Sequence, residues 1–385
     1  MVDQFKRRLA TLDGATLTPL VRCVLNDETV AVLKWGYQRL EGGLSGAYGL
    51  YRFQGQAQAG NERLAWSLIL KVIGPAGGGP EPGDQDYWKR ELLVYQSGLL
   101  DDLPGDLVAP RWVAVVEHPD QECWLWLEDV AHHDPEVWPL ERYGLAARHL
   151  GQFNGAYLAG KPIPAEPWVS GGRFRERLAM AEPGVAELPR LSQLPLFAGL
   201  LPADSLDRCL RLWANRRRLL ALLDRLPRSL CHHDAFRRNL MSRPDRHGRV
   251  QTVAIDWAEL GPGTIGAELV SLLAGSLRFV PFAIDQIADL DGLIFAGYID
   301  GLGDAGWQGD GRLARFGYAA TAALNSIADM AIKWPRVARR VAALPAGAEL
   351  PRLLDAGGPA QAAAAQLHLL SLGEDAWALS DSLGL

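Results

Sequence analysis

His232, Asp234 and Asn239 stand in the order His-x-Asp-x-x-x-x-Asn at the start of CHHDAFRRNLMSRPDRHGRVQTVAIDWAEL, residues 231–260. Asn239 leads into the apolar pair Leu240 and Met241. A turn-rich segment from Ser242 to Gly248 follows, and the run 250–255 ends at Asp256. Turn residues between two short runs of strand character predict a loop followed by a β-hairpin. Such a hairpin sets Asn239 beside Asp256, with Asp234 just upstream. An amide oxygen and a carboxylate held together suit Mg²⁺, a hard cation that takes oxygen ligands and keeps phosphate partners. A further carboxylate left outside the metal shell can orient and deprotonate a hydroxyl. Together these are the parts that phosphoryl transfer requires. The same residues also admit a structural reading, in which His232 and Asp234 brace a tight turn and Asp256 ends a strand.

Two upstream segments must deliver the nucleotide to this loop. Strand-like pieces cover residues 37–40, 47–53 and 65–73, and between the first two lies Glu41-Gly42-Gly43-Leu44-Ser45-Gly46. A glycine-rich connection, with Ser45 and Gly46 at its end, lets backbone amides approach phosphates without side-chain obstruction. A plain glycine-rich hairpin has the same composition. The third strand carries Lys71 in WSLILKVI, where alternation puts Ala65, Ser67, Ile69 and Lys71 on one face. A lysine among apolar neighbours needs an acidic partner, because burying a lone ammonium is costly. Glu91, in the helical segment 85–99, is the candidate. Otherwise Lys71 snorkels at a strand end and Glu91 is solvated. The intervening GPAGGGPEPGD reads as a long loop.

In order and spacing, Lys71, Glu91, His232, Asp234, Asn239 and Asp256 resemble the aminoglycoside phosphotransferase and choline kinase superfamily, small-molecule relatives of protein kinases. The resemblance implies Asp234 as catalytic base, Asn239 and Asp256 as Mg²⁺ ligands, and His232 as a brace of the loop. It places Lys71, paired with Glu91, on the phosphates of ATP. It also makes the end of the strand 123–127, with Glu128 and Val130, the interlobe linker that meets the adenine edge. Three departures stand out. Trp257 and Ala258 follow the metal Asp where protein kinases carry Phe-Gly and a long activation segment, which argues against a protein substrate. Glu268 stands where relatives commonly have Asp tying the next helix to the catalytic loop. Arg237 and Arg238 occupy positions that in antibiotic kinases tend to be small or proline, and they suit a phosphate or an anionic substrate group, or an acidic partner in the helical lobe.

The rest of the chain reads as scaffold. Residues 1–33 suggest a leading helix and an irregular segment, and 110–116 and 123–127 two further strands. A helix is predicted over about 140–158, with His149 packed on its apolar face rather than ligating. Residues 171–226 read as helical, most clearly 205–226, whose run Arg216 to Arg218 suits a solvated face or an acidic partner. Residues 261–269, GPGTIGAEL, are expected to open another helix, and helices continue around 280–299, 311–334 and 360–372. Asp285 and Asp289, spaced i,i+4, share a face that suits amines or plain solvent.

Composition sets the bounds. At 385 residues, with 48% hydrophobic and 22% charged residues, the chain is an ordinary globular enzyme in composition. A net charge of −6 argues against a general nucleic-acid surface. The 4 cysteines lack pairing or metal spacing, the first residues lack a signal-peptide core, and no run reaches the ~20 apolar residues of a membrane span. The expectation is a cytoplasmic protein with no nucleic-acid or membrane partner, its oligomeric state unspecified. The fold expected is α+β and two-lobed, protein-kinase-like. Residues 1–128 would form a small, mainly antiparallel β lobe, 129–133 a hinge, and 134–385 a large helical lobe holding the catalytic loop and the substrate. The function expected is ATP- and Mg²⁺-dependent transfer of the γ-phosphate to a hydroxyl of a small molecule. Alternatives are a metabolite kinase for a sugar or an amino alcohol such as choline, for which the 13 tryptophans could supply a cation–π box, or a catalytically silent nucleotide-binding regulator.

Overall fold

The hairpin predicted downstream of Asn239 exists. Strands at Leu240–Pro244 and Val250–Ala254 pair antiparallel with Leu240 opposite Ala254, so the residues flanking the pair, Asn239 and Ile255, are neighbours. The Ile255 N–H donates to the Asn239 carbonyl at 2.9 Å, closing the ladder one step before Asp256. A computed structural model describes residues 2–40, 47–75, 78–119, 121–131, 135, 137–201, 204–344 and 358–384. Ser45 and Gly46 lie outside the described residues.

The fold is α+β in two lobes. Helices α1 (Val2–Thr11) and α2 (Gly14–Leu25) lead, the second capped by the Asp13 carboxylate, which accepts from the Thr16 N–H at 2.8 Å. The strands β1 (Ala31–Leu40), β2 (Ala47–Ala59) and β3 (Glu62–Ile73) follow as a meander, longer than the sequence pattern alone suggests. After α3 (Arg90–Gln96) and the short β4 (Leu107–Val108) come β5 (Trp112–Glu117) and β6 (Cys123–Glu128). They complete an antiparallel sheet of order β1-β2-β3-β6-β5. Alternation along β3 works as the pattern predicts: Leu68, Leu70 and Val72 join one core with Phe53 and Trp126 under α1 and α2, whereas Ile69 and Ile73 pack with the core that continues into the helices. Lys71 is paired in register with Leu50 on β2 and Leu125 on β6, so it sits mid-sheet rather than at a fraying end.

The helical lobe begins with α4 (Leu140–Leu158), followed by α5 (Phe174–Leu191), α6 (Pro195–Ala198), α7 (Ser205–Ala214) and α8 (Arg216–Leu223). The segment read as one helix over 205–226 breaks at Asn215, and Arg216 turns back to an ion pair with Glu182. Strand β7 (Arg228–Cys231) then enters the catalytic loop, and β8 (Leu240–Pro244) and β9 (Val250–Ala254) form the hairpin. Residues 261–264 correct the expectation of a helix opening there. They form β10 (Gly261–Thr264), antiparallel to β7 with Gly261 opposite Cys231. The side-chain-free glycines allow the close approach: a Cβ on Gly261 would meet the Ser170 carbonyl oxygen at 2.1 Å. The helix proper starts at α9 (Leu269–Phe279), and α10 (Gln286–Asp304), α11 (Gly311–Ala342) and α12 (Gly358–Leu383) finish the lobe. Among the described residues no helix is long and apolar enough to cross a membrane.

Helix α4 holds β7 through the Asn154 amide, which donates to the Leu230 carbonyl at 2.8 Å, and it lies against α10 through glycines on both helices. A Cβ on Gly301 would sit 2.0 Å from the Arg148 carbonyl oxygen, one on Gly297 2.1 Å from that of Gly144, and one on Gly151 2.3 Å from that of Tyr298. Backbone so close has nowhere to retreat, so overpacking of this crossing costs about 1–3 kcal/mol. Gly301→Ala is therefore expected to lower the unfolding free energy from urea titration by that order, whereas Gly292→Ala on the same helix, where the added Cβ meets nothing within 4 Å, should leave it unchanged or raise it by up to about 1 kcal/mol. Equal effects of the two substitutions on the unfolding free energy would refute the close crossing.

Candidate active site

Lys71 is the first residue to locate. Its Nζ donates to Asp256 Oδ1 at 2.9 Å and forms an ion pair with Glu91. Burial alone would depress an ammonium, yet the charges of Asp256 and Glu91 more than offset it, and Lys71 is held above its ordinary value. Asp256 is held below the usual carboxylate range, chiefly by Lys71. Glu91 is pushed up by burial, against the pull of Lys71. Glu91 stands in the first turn of α3, and its neighbour Arg90 fixes that helix from beneath. The Arg90 guanidinium donates to the carbonyls of Trp168 at 2.7 Å, Asp84 at 2.7 Å and Ala258 at 3.1 Å. The helix bearing Glu91 is thereby tied to the segment that follows Asp256.

Asp256 itself adopts a left-handed backbone, φ 63° and ψ 67°. That conformation is uncommon for a non-glycine residue and is tolerated best by Asp and Asn. It ends β9 abruptly, while the Trp257 indole N–H donates back to the Ala254 carbonyl at 2.8 Å.

Asp234 lies across from this group. The Asn239 amide donates to the Asp234 carboxylate and to its carbonyl, both at 2.9 Å. Burial, followed by the Asp256 charge, raises the Asp234 carboxyl to about 7. His232 is fully buried: its Nδ1 accepts from the Asp234 N–H at 3.2 Å, and Nε2 faces the Ile255 carbonyl at 3.0 Å. That pattern assigns the neutral tautomer with the proton on Nε2, and burial pushes the ring down to about 4. His232 thus bridges the loop and the strand end before Asp256, without room for a proton-shuttling role.

The donor set fits a divalent cation of the hard class. With the Asn239 amide nitrogen engaged by Asp234, the amide oxygen is its remaining polar side-chain atom. With Asp256 Oδ1 engaged by Lys71, Oδ2 remains. Two adjacent residues with one free oxygen each are what an Mg²⁺ site built mainly on phosphates and water uses. Among the described residues no cluster of three His, Cys, Asp or Glu side chains stands ready for a metal.

Lys71, Glu91, Asp234, Asn239 and Asp256 line one cleft of about 1420 Å³, which also receives Glu128 and Val130 at and just after the end of β6. Glu128 is engaged: Arg243 pairs with its carboxylate at 2.7 Å, and the Arg111 N–H donates to it at 3.0 Å. Its side chain therefore serves the joint, leaving the backbone of this segment as the part that faces a ligand. Several cleft residues escape a reading of spacing. Glu259, three positions after Asp256, pairs with Arg173 at 2.9 Å, and Arg52 on β2 pairs with Asp129 at 2.7 Å. The acid so soon after Asp256 was the one available signal; the arginines come from distant segments. Asp285 and Asp289 are exposed and outside the cleft, and the buried His149 bonds Thr252 Oγ1 at 2.8 Å as a packed residue.

Glu268 resolves its own departure. One carboxylate oxygen accepts from the His232 N–H at 2.6 Å and the other from the His233 N–H at 3.0 Å. The extra methylene lets a residue at the head of α9 reach two successive amides of the loop. Burial raises this carboxyl to about 7, the two amides opposing it. A carboxyl raised on folding from 4.5 contributes stability that is complete below about 4.5 and is lost as pH climbs towards 7. Glu268→Gln removes this titration, so the variant's urea midpoint should gain on that of the parent between pH 4.5 and 7. A difference independent of pH would show that Glu268 is not buried in this way.

Comparison with known proteins follows the same geometry. No curated protein sequence matches the chain significantly. Among solved structures, the chain resembles an amicoumacin kinase in complex with AMP-PNP, Ca²⁺ and Ami, at 12% identity over 96% of each chain, with a TM-score of 0.53. A spectinomycin phosphotransferase in complex with ADP and spectinomycin matches at 11% identity, over 95% of this chain and 99% of that one, with a TM-score of 0.50. A choline kinase from Cryptosporidium parvum matches at 12% identity over 89% of each chain, with a TM-score of 0.50. At these identities the likeness is one of fold: the protein-kinase-like fold of small-molecule kinases. A family model described as the phosphotransferase enzyme family matches residues 68–309, from the strand of Lys71 through the loop of Asp234 to just beyond α10. Because that match takes in well over half of the sequence, the chain belongs to the phosphotransferase enzyme family.

Proposed function

We propose that the protein transfers the γ-phosphoryl group of ATP to a hydroxyl of a small molecule. The observation that carries this reading is the shared Lys71: one ammonium joins Glu91 and Asp256 while Asp234 waits, uncommitted to any cation, beside Asn239. In this reading residues 1–128 are the nucleotide lobe, 129–133 the linker and 134–385 the catalytic and acceptor lobe. The backbone near Glu128 and Val130 receives the adenine, and the glycine-rich connection with Ser45 and Gly46 covers the phosphates. Lys71 holds the α- and β-phosphates, and Glu91 holds Lys71.

Asn239 and Asp256 would hold Mg²⁺, which when bound neutralises phosphate charge. Asp234 accepts a hydrogen bond from the acceptor hydroxyl and aligns its oxygen with the γ-phosphorus. As the bond from that oxygen to phosphorus forms, the bond to the β,γ-bridging oxygen breaks, ADP departs and Asp234 takes the proton. A carboxyl raised to about 7 by burial suits this step, since it is partly ionised near neutral pH and basic enough to receive a proton. His232 and Glu268 act through the loop, keeping its backbone in place.

General-base contributions of about 10²–10⁴-fold set the scale for Asp234→Asn, which should lose turnover by that factor while ATP affinity stays within about twofold. Asp256→Ala should lose Mg²⁺-dependent nucleotide binding, read by calorimetry with and without the metal. Full turnover in the first variant, or unchanged metal dependence in the second, would refute the assignment. A silent regulator would show no Mg²⁺-dependent ADP release in the first place.

A further inference from the structure

The acceptor end of the cleft is lined by the segment Gly171–Arg177, by α8, by α9 and by α11, and its charges are arranged unusually for a pocket that receives amines. Its carboxylates, apart from Asp234, are already neutralised. Asp224 pairs with Arg175 at 2.5 Å and Glu259 with Arg173 at 2.9 Å. Asp329, on α11, takes both Arg177 and Lys333, and Arg278 approaches it at 3.4 Å. An ammonium entering here would shed water and, among the described residues, find no unpaired carboxylate except that of Asp234.

The cations are in surplus. Arg238, four residues after Asp234 on the same loop, is exposed into the cleft with its guanidinium 4.9 Å above the Phe279 ring and no carboxylate partner among the described residues. Arg228 also lines the cleft and, among the described residues, donates to the Pro262 carbonyl at 2.9 Å and pairs with no carboxylate. Lys333 shares Asp329 with Arg177 and Arg278. Trp334 is the tryptophan that lines this end, and it is stacked flat on Phe197 with ring centroids 4.5 Å apart, so it offers no open box to a quaternary amine. Guanidinium groups in this setting match carboxylate and phosphate oxygens in geometry as well as charge.

We propose that the acceptor is an anionic hydroxylated small molecule, bearing a carboxylate or a phosphate ester that Arg238 and Lys333 hold while its hydroxyl meets Asp234. This rests on the phosphotransfer reading above and narrows its substrate class. An acid displaces water from Arg238 and shares Lys333 with Asp329, and a polyamine is rejected by the uncompensated arginines.

The test is ADP release with Mg·ATP across two panels. The anionic panel holds glycerate and gluconate as carboxylates, and glycerol 3-phosphate and ribose 5-phosphate as phosphate esters. The cationic and neutral panel holds kanamycin, spectinomycin, choline and glucose. Stimulation confined to anionic members is expected, and which arm responds identifies the group. Arg238→Gln and Lys333→Gln should each raise the KM of the responding acceptor at least tenfold while kcat changes less than threefold. Stimulation by the amines, by glucose alone, or by no anionic member overturns the proposal, as does a KM indifferent to both substitutions. Basal ADP release without acceptor, abolished in Asp256→Ala, reads the phosphotransfer assignment separately, so that either can fail alone.

Discussion

One buried ammonium organises the molecule. Lys71 comes from the middle of a sheet, Glu91 from the first turn of a helix laid beside it, and Asp256 from a loop 185 residues further along the chain. Each ion alone would be expensive to bury. Together they satisfy one another, so the three elements must arrive at one point or leave a charge unpaired. Much of the surrounding architecture serves that meeting. The long β2 and β6 on either side fix Lys71, the Arg90 guanidinium anchors α3 to the carbonyl two residues after Asp256, and the left-handed backbone at Asp256 turns its side chain off the strand. A nucleotide that takes over part of Lys71 replaces one anionic partner by another, which costs little reorganisation.

The two aspartates near this point are driven apart by their surroundings. Asp256 has a cation against it and stays ionised, whereas Asp234 has burial and a neighbouring negative charge and is raised to about 7. Pairs of carboxyls pushed in opposite directions mark separate roles for ligand and base. The Asn239 amide nitrogen donates to Asp234, which leaves the amide oxygen unengaged among the described residues.

Legibility in the sequence followed the range of the interaction. The β8–β9 hairpin was readable because turn residues and alternation are local, and the place of Lys71 was readable because a lone cation in an apolar strand demands an explanation. The strand at Gly261–Thr264 was not, because Gly-Pro-Gly has no strand propensity and its pairing with Arg228–Cys231 is set by tertiary contact. The break at Asn215 was hidden inside continuous helical periodicity. Asp285 and Asp289 show the other limit: spacing correctly put them on one helical face, but only the packing reveals that this face meets solvent. The partners of Glu259 and Asp129 come from segments 86 and 77 residues away, beyond any local pattern.

That division between local and distant contacts also separates chemistry from specificity. The groups proposed to act on phosphate come from short motifs whose geometry leaves little freedom: a hairpin, the central strand of a sheet, a first helical turn. The groups proposed to face the acceptor come from the segment between α4 and β7, from α11 and, in Arg238, from the loop itself. In this chain that segment carries arginines that neutralise each acid they meet. In a pocket whose described acids other than Asp234 are paired, the proposed selection falls to the remaining cations, and Arg238 brings one of them to within four residues of Asp234 itself.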